Sequence, residues 1–357
     1  MIDEESSPSS SNLFSLINED FKCFSDGSVR DSHGHFHTVW KIIDFQRWWL
    51  SFESHAGIPL GRKLMNAATD EEEYFLNESS LLDIGWFMKK RRIESIVHRR
   101  WKTKGWGLYS HIHNTVFSHL LAPLCSGFAL ATLEMIKSQR FKVQWRQVSN
   151  VQIQLETDDD NRSLSLAPAP PNFYWQTLSS NFEPIYESGL SLDLHASEYG
   201  WSHSGEQSFL LPVGVLQRLF ESVNMQGLQI VKEAESWEFP DDFKPSDALL
   251  IRLSSLAMND MVSLSERPIY IQDLASWGQL VEAHLKPFGL GSFVEVRSLD
   301  EQGGVEFELT PSSLLPHTIG ILIAFWQRGI GRKAKIKVML KNENWVFQVT
   351  SFLAYAV

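Results

Sequence analysis

The chain has 357 residues, of which 43% are hydrophobic and 21% charged, the balance of a folded protein with a sizeable core. A formal net charge of −11 sets the average field against phosphate backbones, so nucleic-acid binding is disfavoured except through a local basic patch. Two cysteines, Cys23 and Cys125, lie far apart in unlike contexts, which argues against a disulfide framework and points to a reducing, cytoplasmic setting.

Residues 1–30 begin with the acidic, serine-rich MIDEESSPSSSN and read as a disordered tail. His33, His35 and His37 alternate in a polar loop before a strand over 38–43. From Asp44 the pattern turns helical, with Trp48, Trp49 and Phe52 recurring at helix spacing until Gly57 and Pro59 break it. Leu60–Leu76 reads as a second helix, with the acidic run Asp70–Glu73 on its solvent side. Ser79 and Ser80 are placed to cap a third helix running to Trp101, with Leu82, Trp86, Phe87, Ile93, Ile96 and Val97 as its apolar stripe. Gly105-Trp106-Gly107 ends it, and a hairpin over 108–118 turns near Asn114. A helix over 120–137 and strands at 141–145 and 151–155 complete a first α+β module, 31–156.

An acidic, then proline-rich stretch, 157–172, reads as a linker. A second module, 173–265, follows: a strand at 190–194, a turn over 197–205, a helix carrying Val215, Leu216, Leu219, Phe220 and Val223, and strands at 229–232 and 248–253. A third module, 266–357, is expected to pack with the second. It offers a helix with Leu274, Trp277, Val281 and Leu285 on one face, a hairpin around Gly303-Gly304, a helix carrying Ile319, Leu322, Ile323, Trp326 and Ile330, and a closing hairpin across Asn342-Glu343-Asn344. Gly329 and Gly331 read as a helix stop.

One phrase recurs: Leu120-Leu121-Ala122-Pro123, Leu210-Leu211-Pro212 and Leu314-Leu315-Pro316 each stand before an apolar, helix-like run, where proline suits the first turn. The expected fold class is therefore α+β, built from duplicated helix and antiparallel-sheet modules. No apolar run reaches the roughly 20 residues of a membrane span, so no membrane partner is expected.

Three groups of residues suggest chemistry. Lys89, Lys90, Arg91, Arg92, Arg99 and Arg100, with Lys102 and Lys104 behind them, form a basic stretch interleaved with Trp101 and Trp106, suited to an acidic partner or a nucleic acid. A solvated helix face is the plainer reading. His111, His113 and His119 are candidate metal or acid–base groups, set against a reading as edge-strand surface histidines. Cys125, inside an apolar helix, reads as a buried, inert thiol. Nothing names a cofactor: there is no phosphate-binding loop, dinucleotide glycine signature, nucleophile elbow or zinc-protease histidine pair.

The order of helices, Gly105-Trp106-Gly107, hairpin, Ala122-Pro123-Leu124-Cys125-Ser126-Gly127-Phe128 and final hairpin resembles the 4-vinyl reductase domain over about 44–156, and 268–351 echo its second half. That resemblance implies a small-molecule-binding α+β module related to haem and nitric-oxide sensor folds. The family often carries cysteines in the last hairpin; this chain has Gln147 and Asn150 there and keeps only Cys125. Three functions follow as expectations. The first is a non-enzymatic small-molecule-binding or regulatory protein, with Trp101, Trp106, Tyr109 and Phe128 walling a pocket for a small apolar or aromatic ligand. The second is an interaction protein acting through the basic face 89–104 on a protein partner or nucleic acid. The third is a histidine-dependent metalloenzyme.

Overall fold

Apolar residues every third or fourth position build the helices, and strictly alternating ones build the strands that cover them. A computed structural model describes residues 10–84, 89–176, 185–224, 236–265, 268–309, 312–341 and 344–352, and the chain is mixed α+β. Trp86, Phe87, the strand expected at 229–232 and most of the turn at 342–344 lie outside the described residues.

Helix α1 (Ser10–Asp20) leads into strands β1 (Phe21–Phe24), β2 (Val29–Asp31) and β3 (Phe36–Lys41), and then α2 (Ile42–Ala56). The expected tail is therefore structured from Ser10 onward. Leu13, Ile17, Phe21, Cys23 and Val29 are buried together in a small core of their own, and the polar residues between them hide that pattern in the composition. There follow α3 (Gly61–Glu78), α4 (Lys89–Lys104), β4 (Leu108–Ser110), β5 (Thr115–Phe117), α5 (Ala122–Lys137), β6 (Arg140–Gln147) and β7 (Gln152–Asp160). The acidic end of the expected linker is strand: Asp158 and Asp160 stand opposite Lys142 and Arg140 in register, and Asp160 takes its ion pair from Arg162 at 2.7 Å.

The second half begins with β8 (Tyr186–Gly189), β9 (Leu194–Ser197), β10 (Gly200–His203) and β11 (Glu206–Pro212), then α6 (Val213–Asn224) and β12 (Ser236–Glu238). Leu210-Leu211-Pro212 thus ends a strand rather than opening a helix. It continues with α7 (Pro245–Ser263), α8 (Leu274–His284), β13 (Phe293–Ser298), β14 (Val305–Leu309), α9 (Leu315–Ile330), β15 (Ala334–Lys341) and β16 (Asn344–Ser351). The strand expected at 248–253 lies in the first half of α7. Leu250, Ile251, Leu253, Ala257 and Met258 are buried around that helix, so no polar face marks its period.

Two segments repeat one order, helix–helix–hairpin–helix–hairpin: α3 to β7, and α7 to β16. Their sheets repeat one strand order, β4-β5-β7-β6 and β13-β14-β16-β15, with β12 added beside β15. Between them lies a seven-stranded sheet, β8-β1-β2-β3-β11-β10-β9, in which β3 and β11 pair antiparallel at the centre, Val39 opposite Leu210. Residues 173–265 are consequently not a self-contained module, because their strands complete a sheet begun by residues 21–41. The helices after the central strands also cross over: α2 packs on α7, and α6 on α3. One continuous core runs through both halves. The proline-rich stretch is held against it, since Arg218 donates to the Pro168 carbonyl at 2.6 Å and Gln217 to that of Pro171 at 3.1 Å. Among the described residues no helix is long and apolar enough to cross a membrane.

Candidate functional site

The acidic run on α3 reverses its expected exposure: Glu71, Glu72 and Glu73 are all buried. Successive helical residues point about 100° apart, and each glutamate meets an arginine from a different element. Arg218 of α6 donates to Glu71 at 3.0 Å. Arg100 of α4 forks onto Glu72 with two bonds of 2.6 Å. Arg140 of β6 reaches Glu73 at 2.7 and 2.9 Å and Glu134 of α5 at 2.6 Å. Paired charge-assisted bonds of this kind make burial of the carboxylates tolerable and fix the direction of each arginine.

The pair Arg100–Glu72 sets the pose of α4, whose last residue is Lys104. Gly105 follows with φ +71°, and its Cα lies against β11 so closely that a Cβ would stand 2.6 Å from the Ser208 carbonyl oxygen. Trp106 then donates to the Leu210 carbonyl at 2.8 Å, and Trp201 of β10 donates to the Thr103 carbonyl at 3.0 Å. The end of α4 is thereby pinned to the central sheet, and the Lys104 side chain is carried inside, 3% exposed. Its Nζ meets Nε2 of His37 on β3. The other ring nitrogen, Nδ1, lies 3.0 Å from the His35 carbonyl, which can only accept. Nδ1 therefore carries the proton, and Nε2 offers its lone pair to Lys104.

Lys104 lines a cleft of about 250 Å³ among α1, β1, β2, α3 and α4. Phe21, Phe75, Leu81 and Ile96 form its apolar walls; Asp20, Asp31, His33 and Arg99 supply polar groups. The rings of Phe21, Phe75 and Trp106 lie 5.1, 5.4 and 5.6 Å from Nζ. Asp31 accepts the His33 and His35 backbone N–H groups through Oδ1, at 3.0 and 2.9 Å. Its Oδ2 is buried and has no hydrogen-bond partner among the described residues.

Burial pulls the Lys104 ammonium down to about 7; the nearby Arg100 charge acts the same way, and Asp31, Glu72 and Glu71 partly oppose it. Burial, and then the Lys104 charge, hold His37 well below the usual imidazole range. Burial also raises Asp20. The cleft thus combines an amine near its neutral form, a neutral imidazole fixed in one tautomer, and a carboxyl whose burial favours its neutral form more than in a free aspartate. Such a set can bind a polar head group and move protons to and from it.

A larger cleft, about 820 Å³, lies among α3, α5, β6 and residues 162–165. Its three arginines are already engaged, Arg140 as above, Arg162 with Asp160 at 2.7 Å, and Arg62 with the Val143 carbonyl at 3.2 Å, while Lys142 on its rim is exposed. It offers less unsatisfied chemistry than the cleft at Lys104.

The residues expected to wall a pocket are core. Trp106 stacks on Phe128 with ring centres 3.8 Å apart, and Trp101 packs on Trp106 and Tyr109 at 5.9 and 5.3 Å. Rings in contact leave no room for a ligand between them, and none of the four lines either cleft. The basic stretch divides: Lys89, Lys90, Arg91, Arg92 and Arg99 are exposed, Arg100 is committed to Glu72, and Lys104 is inside. His111 and His113 sit in the turn after β4 and His119 beside Tyr199; among the described residues no three His, Cys, Asp or Glu side chains gather to hold a metal ion. His33 and His35 pack on Phe75 instead. Cys125 is fully buried, and burial pushes its thiol up to about 12.

Sequence reasoning reached Lys104 only as the last member of a basic run. The signal that it differs was Gly105-Trp106-Gly107, which marks a helix end docking closely on another backbone. No protein-family model, curated protein or solved structure matches the chain.

Proposed function

We propose that this chain is a small-molecule-binding protein whose ligand, an aromatic or apolar body with one polar head, occupies the cleft over Lys104. The observation that carries this reading is a buried amine and a buried carboxylate, Asp31, whose Oδ2 accepts no hydrogen bond among the described residues and lies 3.9 Å from His37 Nδ1, both residues lining one apolar-walled cavity. Buried polar atoms are normally satisfied, and an orphan in a cavity invites a partner. At about 250 Å³ the cleft suits a ligand smaller than a drug-sized molecule. The recurrence of one helix and hairpin order in both halves supports an internal duplication and kinship of each copy to the 4-vinyl reductase domain.

The test is a thermal-shift panel of small aromatic alcohols, acids and amides against the whole protein and Ile96→Trp, which fills the cleft from its wall. Binding at about a hundredfold above Kd stabilises by about 2.7 kcal/mol and raises the melting temperature. A panel without any shift, or a shift kept in Ile96→Trp, refutes the reading.

A second reading rests on the first turn of α4. Lys89, Lys90, Arg91 and Arg92 are all exposed at the positive end of the helix macrodipole, an unfavourable place for cations that an acidic partner protein would relieve. Arg91→Glu with Arg92→Glu should abolish salt-sensitive retention on an acidic polypeptide such as polyglutamate; unchanged retention excludes it.

A further inference from the structure

We propose that Lys104 is a covalent anchor, condensing with the carbonyl of a small aromatic or apolar aldehyde in the cleft to form an imine. The proposal rests on the reading of this cleft as the ligand site and adds the class of ligand and the bond that holds it.

Four observations carry it. Lys104 is one of the residues that line the cavity. Among the described residues no carboxylate forms an ion pair with it; its Nζ meets the acceptor nitrogen of His37, whose other nitrogen is occupied by the His35 carbonyl. An amine held by one acceptor keeps its lone pair for another bond. Phe21 and Phe75 line the cavity with ring centres 5.1 and 5.4 Å from Nζ, faces that suit a planar aromatic head and a protonated imine alike. Asp20 and Asp31, two carboxyl groups able to relay protons, line the same cavity. The lowered affinity of Lys104 for its proton agrees with this geometry.

The step balances without an oxidant or a second substrate. The Nζ lone pair forms a bond to the carbonyl carbon while the C=O π pair moves to oxygen, and the proton that nitrogen then releases, relayed through Asp31, neutralises that oxygen. In the resulting carbinolamine the hydroxyl takes a proton relayed by Asp20, and its C–O bond breaks to release water. The nitrogen lone pair closes the C=N bond. The iminium then returns a proton to Asp20, so that amine and aldehyde become imine and water.

The experiment treats the full chain with benzaldehyde and sodium cyanoborohydride at pH 7 and maps N-benzyl-lysine by peptide mass spectrometry, with benzyl alcohol as a competitor that cannot condense. Exposed lysines are almost wholly protonated at pH 7, whereas a lysine titrating near 7 is about half neutral. Lys104 should therefore be labelled at least about tenfold faster than the median of the other lysines, and benzyl alcohol should slow it. Labelling at Lys104 no faster than elsewhere, with benzyl alcohol still raising the melting temperature, overturns the anchor and leaves the binding site standing. Neither labelling nor a melting shift overturns both.

Discussion

Replacing Lys104 by methionine should make the protein more stable at neutral pH and less stable at high pH. In the folded chain the ammonium titrates near 7, against 10.5 in an unfolded chain. Between those values the unfolded state holds a proton that the folded state does not, so folding stability rises with pH across the window. Below about 7 both states are protonated, and the full difference of about 3.5 pH units, roughly 5 kcal/mol at 1.36 kcal/mol per unit, is lost to the folded state. Methionine removes that cost, fills much of the same volume, and leaves Nε2 of His37 without its partner, which costs about 1–3 kcal/mol.

The net expectation is a gain of about 2–4 kcal/mol at pH 6.5. The gain shrinks as pH rises, vanishes near pH 9, where the remaining ionisation cost is about 2 kcal/mol, and becomes a loss beyond it. Urea titrations of the two proteins at pH 6.5, 8, 9 and 10 measure this directly. Other groups that titrate in the range cancel in the difference. Parallel stability–pH curves for the two proteins would refute the reasoning, because they would mean that Lys104 has the same proton affinity folded and unfolded.

Three further outcomes follow from the same packing. Glu72→Leu alone should destabilise by about 3–5 kcal/mol by stranding Arg100, and adding Arg100→Leu should recover much of it, read by urea titration as a double-mutant cycle. Gly105→Ala should lower the melting temperature by several degrees, since alanine at φ +71° is strained and its Cβ meets the Ser208 carbonyl; an unchanged melting temperature would show that α4 does not depend on this approach. His317, wholly buried against Trp40, Trp48 and Phe220 with both ring nitrogens lacking partners among the described residues, is drawn down to about 3 by burial. Its contribution is complete above about 6.5 and is lost as pH falls toward 3, so His317→Phe should move acid unfolding, followed by tryptophan fluorescence, to lower pH.

What the sequence disclosed was local. Pro123 and Pro316 mark the first turns of α5 and α9, the hairpins β6–β7 and β15–β16 lie on the expected strands, and Gly331 ends α9 at φ +72° as its position suggests. What it concealed depends on partners far along the chain. Glu71, Glu72 and Glu73 look like a solvated face until Arg218, Arg100 and Arg140 are brought to them from 147, 28 and 67 residues away. The central sheet joins β3 to β11 over a similar distance, and a single strand gives no sign of which edge it will meet. Leu210-Leu211-Pro212 resembles the two helix starts in letters, but its backbone is already committed to β3 through Thr38 and His37. The cleft was hidden for the same reason: Lys104, His37, Asp31 and Phe75 share no periodicity, only a place.

The ionic framework and the cleft are mechanically one object. Because Arg100 forks onto Glu72 and also lies close enough to Lys104 to lower its proton affinity, the residue that orients α4 also sets the chemistry at its end. Removing the Arg100 charge takes away a repulsion and frees the Glu72 carboxylate, and both changes favour the ammonium form. Arg100→Gln should therefore move the pH at which Lys104 becomes reactive toward benzaldehyde upward from about 7, whereas Arg100→Lys, which keeps the charge and loses the fork, should move it less. The readout is the pH profile of labelling at Lys104 in each folded variant, referred to the profile of an exposed lysine in the same sample. Coincident profiles for Arg100→Gln and the parent would mean that the arginine acts on the helix alone, and the tuning of Lys104 would then belong to burial against Phe21, Phe75 and Trp106 without help from charge.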